Sequence, residues 1–178
     1  MPFLSPLGLE RLGSNKLASS ATSVGAITIP PRDLLLIWIA VTGYGGSDIA
    51  ALQFNGDSTV GNYGSRMEYV ATAGSATLTN QSNAGTIARI PIGPTGVTTP
   101  RTAMASINNH TQSAVKPVTL MADVATAGGT TEINNSPVQI WGQYTAASAG
   151  TQITQVNLIT PTSNMLTGTG FIVFGANM

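Results

Sequence analysis

Hydrophobic and polar residues alternate in several short runs of this chain with the two-residue period of a β-strand. Short runs of this kind are separated by Gly, Pro, Asn and Ser. The runs are rich in Val, Ile, Thr or aromatic residues, which favour strands, and their flanking residues favour turns. The predicted strands are 26–29, 34–42, 49–54, 66–71, 86–92, 102–108, 118–124, 138–144, 153–159 and 170–174.

This spacing of strands, with no interior stretch long enough for an amphipathic helix, predicts an all-β fold. Eight to ten short strands divided by turns are typical of an antiparallel two-sheet sandwich, and a jelly-roll-like arrangement is the form we expect. We assign residues 26–178 to this domain. A chain of 178 residues is long enough to bury a sizeable core as one domain.

Two of the predicted strands carry apolar residues on the face where polar ones are expected. Leu34–Val41 is apolar on both faces, so both must be covered, either within the sandwich or by a neighbouring subunit. In 138–144, Val138, Ile140 and Gly142 share one face, and Trp141 lies on the other between two glutamines. An interface strand would show such a Trp, although a loop of the same chain could also cover it.

Residues 1–25 differ from the rest and are predicted to be an extended N-terminal arm and linker. Pro and Gly interrupt any helical period in the arm, and 19–23 is a Ser/Thr/Ala linker. The arm docks either on a partner or on its own domain. Its apolar residues include Phe3, Leu4, Leu7 and Leu9.

Charge is scarce: 8% of the residues are charged, against roughly 25% in ordinary domains, and the net charge is zero. Without a basic patch we expect no nucleic-acid partner. The longest apolar run is about eight residues, far short of the roughly 20 of a membrane helix, so we expect no membrane span, and the N-terminus lacks the pattern of a secretory signal. Near-zero net charge favours association with other proteins.

The residues that carry most enzyme and metal chemistry are sparse. There are no cysteines and one histidine, His110, which we interpret as a loop-edge residue that forms local hydrogen bonds. The carboxylates Asp33, Asp48, Asp57, Asp123 and Glu132 are scattered, so no calcium loop is predicted. We therefore expect no catalytic residues, no metal site and no cofactor.

The most distinctive segment is Phe54-Asn55-Gly56-Asp57, followed after four residues by Asn62-Tyr63. It predicts a strand that ends in a tight turn, with Gly56 and Gly61 permitting positive φ and Tyr63 covering the strand end. This pattern resembles one found in small β-sandwich proteins on the virions of tailed bacteriophages, notably capsid decoration (cement) proteins. The Ile-Pro-Pro-Arg-Asp-Leu run at 29–34 and the Gly-rich C-terminal strand at 168–175 fit the same layout.

The resemblance covers 27–63 and 168–178, and it implies a structural protein on the capsid surface. We expect a decoration protein that binds the major capsid protein and bridges capsid subunits. The resemblance also implies a homotrimer. Candidate contacts with capsid or sister subunits are Phe3, Leu4, Leu7, Leu9 and Trp38.

A carbohydrate- or receptor-binding module of a phage fibre or spike is the alternative function. Sugars are often held by exposed aromatic rings flanked by amides and carboxylates. The residues that could form such a platform are Tyr44, Tyr63, Trp141 and Tyr144. A polysaccharide-degrading enzyme is a more distant possibility, since it would require converging carboxylates.

Overall fold

Twelve antiparallel strands in two sheets form the part of the chain that the structure, a computed structural model, describes. It describes residues 8–45, 50–70, 78–82, 89–92, 101–124 and 138–178, without the side chains of 69, 70, 78–82, 123 and 124. Within these ranges the helical content is one 3₁₀ turn, Val60–Asn62. The strands are β1 Glu10–Lys16, β2 Ile27–Thr28, β3 Leu34–Val41, β4 Ala51–Phe54, β5 Tyr63–Val70, β6 Leu78–Ser82, β7 Ile90–Pro91, β8 Arg101–Asn108, β9 Val115–Val124, β10 Val138–Thr145, β11 Gln155–Ile159 and β12 Gly170–Ala176.

The large sheet has eight strands in the order β1-β12-β3-β8-β9-β10-β5-β6, and the small sheet has four in the order β2-β11-β4-β7. The predicted all-β, antiparallel two-sheet sandwich is confirmed. Each of the ten predicted strands overlaps an observed one, whereas β1 and β6 were not predicted.

Alternation within each strand places the core between the two sheets. On β3, Leu35, Ile37, Ile39 and Val41 point inward and are buried, while the residues between them face outward. The small sheet covers them with its own apolar residues, including Leu52, Phe54, Val156 and Leu158. Burial of these side chains is the main favourable term in folding.

The described part of the predicted N-terminal arm and linker lies against the sandwich. Residues 10–16 form β1, which pairs with β12 along its whole length and makes one edge of the large sheet. Leu17 and Val24 are buried, and Ala21 bridges to Met165. Residues 8–25 thus pack on their own domain, and residues 1–7 lie outside the described residues.

Candidate functional site on the large sheet

The outward face of the large sheet, called here the outer face, carries large apolar side chains. On β3 the indole of Trp38 is 59% exposed, and Leu34 and Leu36 are half-buried. The inner residues of the same strand are covered by the sandwich. Among the described residues nothing covers Trp38 in the same way, so the outer half of this double-sided apolar strand is left for a neighbour.

An apolar row crosses four adjacent strands of this face in register. Ile172 on β12 lies opposite Trp38, Trp38 opposite Met104 on β8, and Met104 opposite Met121 on β9. Met104 and Met121 are 51% and 50% exposed. Side chains directly opposite each other in antiparallel strands lie about 5 Å apart. The row is therefore one contiguous strip, which we call the apolar row.

Trp141 lies on the same face, on β10, and is 41% exposed. It is opposite Thr119 on β9 and Arg66 on β5. Arg66 pairs with Glu68 at 3.2 Å on the same strand, so both charges have a local counter-ion. The predicted division of β10 is confirmed, because Val138 and Ile140 are buried whereas Trp141 and its flanking glutamines are exposed.

The sequence-predicted contact residues occupy different places. Phe3, Leu4 and Leu7 lie outside the described residues. Leu9 is half-buried just before β1, and Trp38 is the most exposed large apolar side chain within a described strand. Of the two that are described, Trp38 lies on the outer face.

The predicted aromatic platform does not form. Tyr44, Tyr63 and Tyr144 are buried, which leaves Trp141 as the one exposed member of the four. The Tyr44 hydroxyl accepts a hydrogen bond from the Ala50 N–H at 3.2 Å inside the fold. A buried Tyr usually has a hydrogen-bond partner for its hydroxyl, and each of these three hydroxyls has one within the chain.

The distinctive segment 54–63 builds the strand end that its sequence predicts. Asn55 and Gly56 both have positive φ, 53° and 65°, and turn the chain after β4. The Asn55 side chain accepts hydrogen bonds from the N–H groups of Thr154 and Gln155 and donates to the carbonyl of Gln152. Gly61 differs from the prediction, because it lies in the 3₁₀ turn and its φ is not positive.

Asp57 organises the second half of this segment. Its carboxylate accepts hydrogen bonds from the N–H of Thr59 and the side chain of Asn62, both at 2.7 Å. Partial burial alone would raise the pKa of Asp57, but these hydrogen bonds outweigh it, and the pKa lies below its ordinary value. The side chains of Asn55, Asp57 and Asn62 are thus engaged within the fold, which is a structural role.

Phe54, Tyr63 and Tyr144 pack together beneath this turn. The ring centroids of Tyr63 and Tyr144 are 5.0 Å apart, and those of Phe54 and Tyr144 are 5.5 Å apart. Burial raises the pKa of Tyr63 well above its ordinary value. Burial, the nearby charge of Asp57 and a hydrogen bond with its carboxylate raise the pKa of Tyr144 to about 12.

Two basic side chains point into the protein from the inner face of the large sheet. Lys116 is fully buried, and its Nζ donates to the carbonyls of His110 and Ser113 at 2.5 and 2.6 Å. Arg101 is 2% exposed, and none of its three guanidinium nitrogens has a hydrogen-bond partner within the described ranges. Burial lowers the pKa of both groups, and nearby Tyr44 partly offsets this lowering for Arg101.

His110 forms the local hydrogen bonds that its loop position predicts. Its Nδ1 accepts from the Gln112 N–H and its own N–H donates to Asn108, both at 3.3 Å. Among residues 8–45, 50–70, 78–82, 89–92, 101–124 and 138–178, no three His, Cys, Asp or Glu side chains come together in a way that could hold a metal ion. Asp48 and Glu132 lie outside the described residues, and so does the side chain of Asp123.

Met104 and Met121 are functional candidates that were not predicted from the sequence. Each is an apolar residue at a position that alternates with buried ones, as Trp141 is on β10. Their exposure follows from the same alternation along β8 and β9, where every second residue faces outward.

Comparison with known proteins gives no family. No protein-family model matches the chain, and no curated protein matches its sequence. Among solved structures, arcelin-5, a lectin-like defense protein from Phaseolus vulgaris, aligns over 97% of this chain and 89% of its own, with 9% identity and a TM-score of 0.18. Likeness at this level carries no functional argument. The described part of the chain also contains no helix that is long and apolar enough to span a membrane.

Proposed function

We propose that this chain is a structural virion protein, a decoration (cement) protein that binds the outer surface of a phage head and bridges capsid subunits. The observation that carries the proposal is the apolar row with Trp141 beside it on the outer face. Contiguous exposed apolar surface of this kind marks sites of protein contact. Trp and Met are also among the residues enriched at the centres of interfaces.

The outer face has the dimensions of a protein interface. Eight strands spaced about 4.8 Å apart span about 34 Å, and eight-residue strands such as β3, β8 and β10 are about 26 Å long. The resulting area of about 900 Å² is close to the roughly 800 Å² that each partner buries in a stable complex. The face is therefore large enough to hold the chain on another protein.

The charge distribution favours an uncharged protein surface as the partner. From β12 across to β10, the described outward side chains are uncharged; the side chain of Asp123 on β9 lies outside them, and Arg66 and Glu68 on β5 neutralise each other. Burying an unpaired charge costs several kcal/mol. Because docking here would bury no unpaired charge among these side chains, the face can be covered at little electrostatic cost.

A cement protein acts by binding rather than by catalysis. Contacts that are weak singly add as avidity when several copies bind one shell, and a ligand that binds only the assembled shell stabilises it. We include in the proposal that the chain acts as a homotrimer on the major capsid protein, the trimer following from the resemblance to decoration proteins. Native mass spectrometry of the isolated chain tests this part, and a monomer at micromolar concentration contradicts it.

Binding to undecorated phage heads tests the function, with Met104→Glu/Met121→Glu as the decisive variant. Both side chains are half-exposed, so the substitutions place charge in the apolar row and leave the core intact. We expect the wild-type chain to sediment with heads and the double variant to remain in solution. Thr28→Glu, on an exposed position of β2 in the small sheet, is the matched control and should bind normally. Equal binding of the double variant would contradict the proposed surface.

The N-terminal arm is a second candidate contact, and the structure sets where to cut it. A deletion through residue 17 would remove β1 and the buried Leu17 and so damage the sandwich. Deleting residues 1–7 removes Phe3, Leu4 and Leu7 and spares both. If the arm docks on the capsid, this deletion weakens binding to heads, and undiminished binding would exclude that role.

A further inference from the structure

A groove of about 650 Å³ lies beside the apolar row, at the end of β1. It is formed by three adjacent strands, β1, β12 and β3, and by the turn before β12. The indole of Trp38 forms one side, and Lys16 and Ser14 of β1 form the other. A volume of this size is within the range of sites that hold small molecules.

The groove exists because small residues occupy its floor. Gly170 lies in register between Lys16 on one side and Ala40 on the other. A Cβ at Gly170 would approach the Asn15 carbonyl oxygen to 2.5 Å, so this position requires glycine. With no side chain on β12 and a methyl group on β3, the sheet surface is open to a ligand at this point.

The two sides of the groove offer different chemistry. Trp38 presents an exposed aromatic surface, and Ile172 lies opposite it on β12. The stem of Lys16 runs beside Gly170 and Gly168, and its ammonium has no hydrogen bond or ion pair in the described part of the chain. Ser14 accepts a hydrogen bond from Arg11, which leaves its hydroxyl proton available to a ligand.

The backbone of the floor is already satisfied. β12 pairs with β1 on one side and β3 on the other, so an extended peptide cannot add to it as a further strand. A ligand must instead use the aromatic ring, the ammonium and the hydroxyl. The apolar face of a sugar ring can stack on an indole, and its hydroxyls can accept hydrogen bonds from donors such as Ser14. The carboxylate of an acidic sugar would also give the Lys16 ammonium a counter-ion.

We propose that this groove binds an acidic saccharide, with a sugar ring stacked on Trp38 and its carboxylate at Lys16. The site goes beyond attachment to a capsid. It lies on the β1 side of Trp38, whereas Met104, Met121 and Trp141 extend from the other side. Head-binding and saccharide-binding experiments can therefore fail independently.

Tryptophan fluorescence tests the site directly. The chain has two tryptophans, so Trp141→Phe leaves Trp38 as the only indole. This variant is titrated at low salt with trigalacturonic acid, with the neutral sugar maltotriose and with triglutamic acid. We expect a saturable change in Trp38 emission with trigalacturonic acid. Binding should be about tenfold weaker with maltotriose, which lacks the charge-assisted hydrogen bond, and about tenfold weaker with triglutamic acid, which lacks the sugar ring that stacks on the indole.

Substitutions at the rim separate this site from unspecific binding. In the same background, Lys16→Gln should remove the preference for the acidic sugar over maltotriose. Thr102→Gln, an exposed change on β8 next to Ala40 and outside the groove, should leave it unchanged. Three results would each overturn the proposal. They are the absence of a saturable response to trigalacturonic acid at millimolar concentration, an equal response to maltotriose or triglutamic acid, and an unchanged preference in Lys16→Gln.

Discussion

The hydroxyl of Tyr63 closes the end of the strand that Phe54 terminates. It lies 3.1 Å from the Phe54 N–H, from which it accepts, and 3.2 Å from the carbonyl of the same residue. It also lies 3.1 Å from the carbonyl of Asp57 in the turn. The hydroxyl thus gives the buried Phe54 N–H an acceptor, and its single proton is shared between the carbonyls of Phe54, which also accepts from the Asp57 N–H, and Asp57.

Tyr63→Phe should lower the free energy of unfolding by about 1–3 kcal/mol. The substitution keeps the ring that packs on Phe54 and Tyr144 but leaves the buried N–H of Phe54 without an acceptor. Urea unfolding followed by circular dichroism measures the change. Val60→Ala, at an exposed position in the same segment, is the control and should stay within about 0.5 kcal/mol of wild type. A Tyr63→Phe variant as stable as wild type would contradict this role.

Asn109→Ala should cost about 2–3 kcal/mol of stability. The fully buried side chain of Asn109 donates to the carbonyls of Arg32 and Ile153 and accepts from the Ile153 N–H at 2.7 Å. Its loss leaves the N–H and carbonyl of Ile153 without this buried partner, whereas the Arg32 carbonyl still accepts from the Gln152 side chain. Asn108→Ala, at the exposed neighbouring position, is the comparison in thermal unfolding, and an equal effect of the two would count against the assignment.

Arg101→Met should stabilise the protein by about 1–3 kcal/mol. The buried guanidinium bears the cost of desolvation and has no acceptor within the described ranges, whereas Met fills similar space without charge. Arg101→Lys keeps the charge and should not stabilise. Both variants are compared with wild type by urea unfolding, and a loss of stability in Arg101→Met would mean that the guanidinium is paired.

Alkaline pH should destabilise the fold through Tyr63 and Tyr144. Because burial raises the pKa of both, to about 12 for Tyr144, they stay protonated in the folded state while the unfolded chain loses these protons from pH 10 upward. Their contribution to stability is full below pH 10 and is lost as pH rises through the folded pKa. Lys116 has the opposite effect on stability. Burial lowers its pKa, so its charged form destabilises the fold, and this cost disappears as the pH rises towards 10.5 and the side chain loses its proton.

The Tyr144→Phe variant isolates this effect. Lys116 is present in both proteins, so the difference between wild type and variant reports Tyr144 together with its electrostatic effect on neighbouring Tyr63. The wild type should lose more stability than the variant between pH 10 and pH 12, as measured by urea midpoints. Parallel curves for the two proteins would contradict the raised pKa.

The fold class and the positions of ten strands could be predicted from the sequence because period-two alternation is a local signal. β1 was missed because Gly13 and flanking Pro and Gly residues break its pattern, and the strand is held by its pairing with β12. β6, with the sequence Leu-Thr-Asn-Gln-Ser, has the polar composition of a turn and takes strand form by pairing with β5. Pairing between distant segments is not visible in local composition.

The candidate site was predicted less completely than the fold. The exposure of Trp38 and Trp141 follows from alternation along single strands. The meeting of Trp38, Met104 and Met121 depends on strand order and register, which one sequence does not display. The residue types of Tyr44, Tyr63 and Tyr144 suggested an aromatic platform. All three are buried instead, and each hydroxyl has a partner inside the fold.

Cryo-microscopy of phage particles incubated with the purified chain tests the central proposal most directly. We expect density for the sandwich on the outer surface of the head, repeated at the joints between capsid subunits. The part of the outer face formed by Met104, Met121 and Trp141 should be covered by capsid or by a sister copy. Density confined to the tail or fibres, or a head-bound sandwich with this face open to solvent, would contradict it.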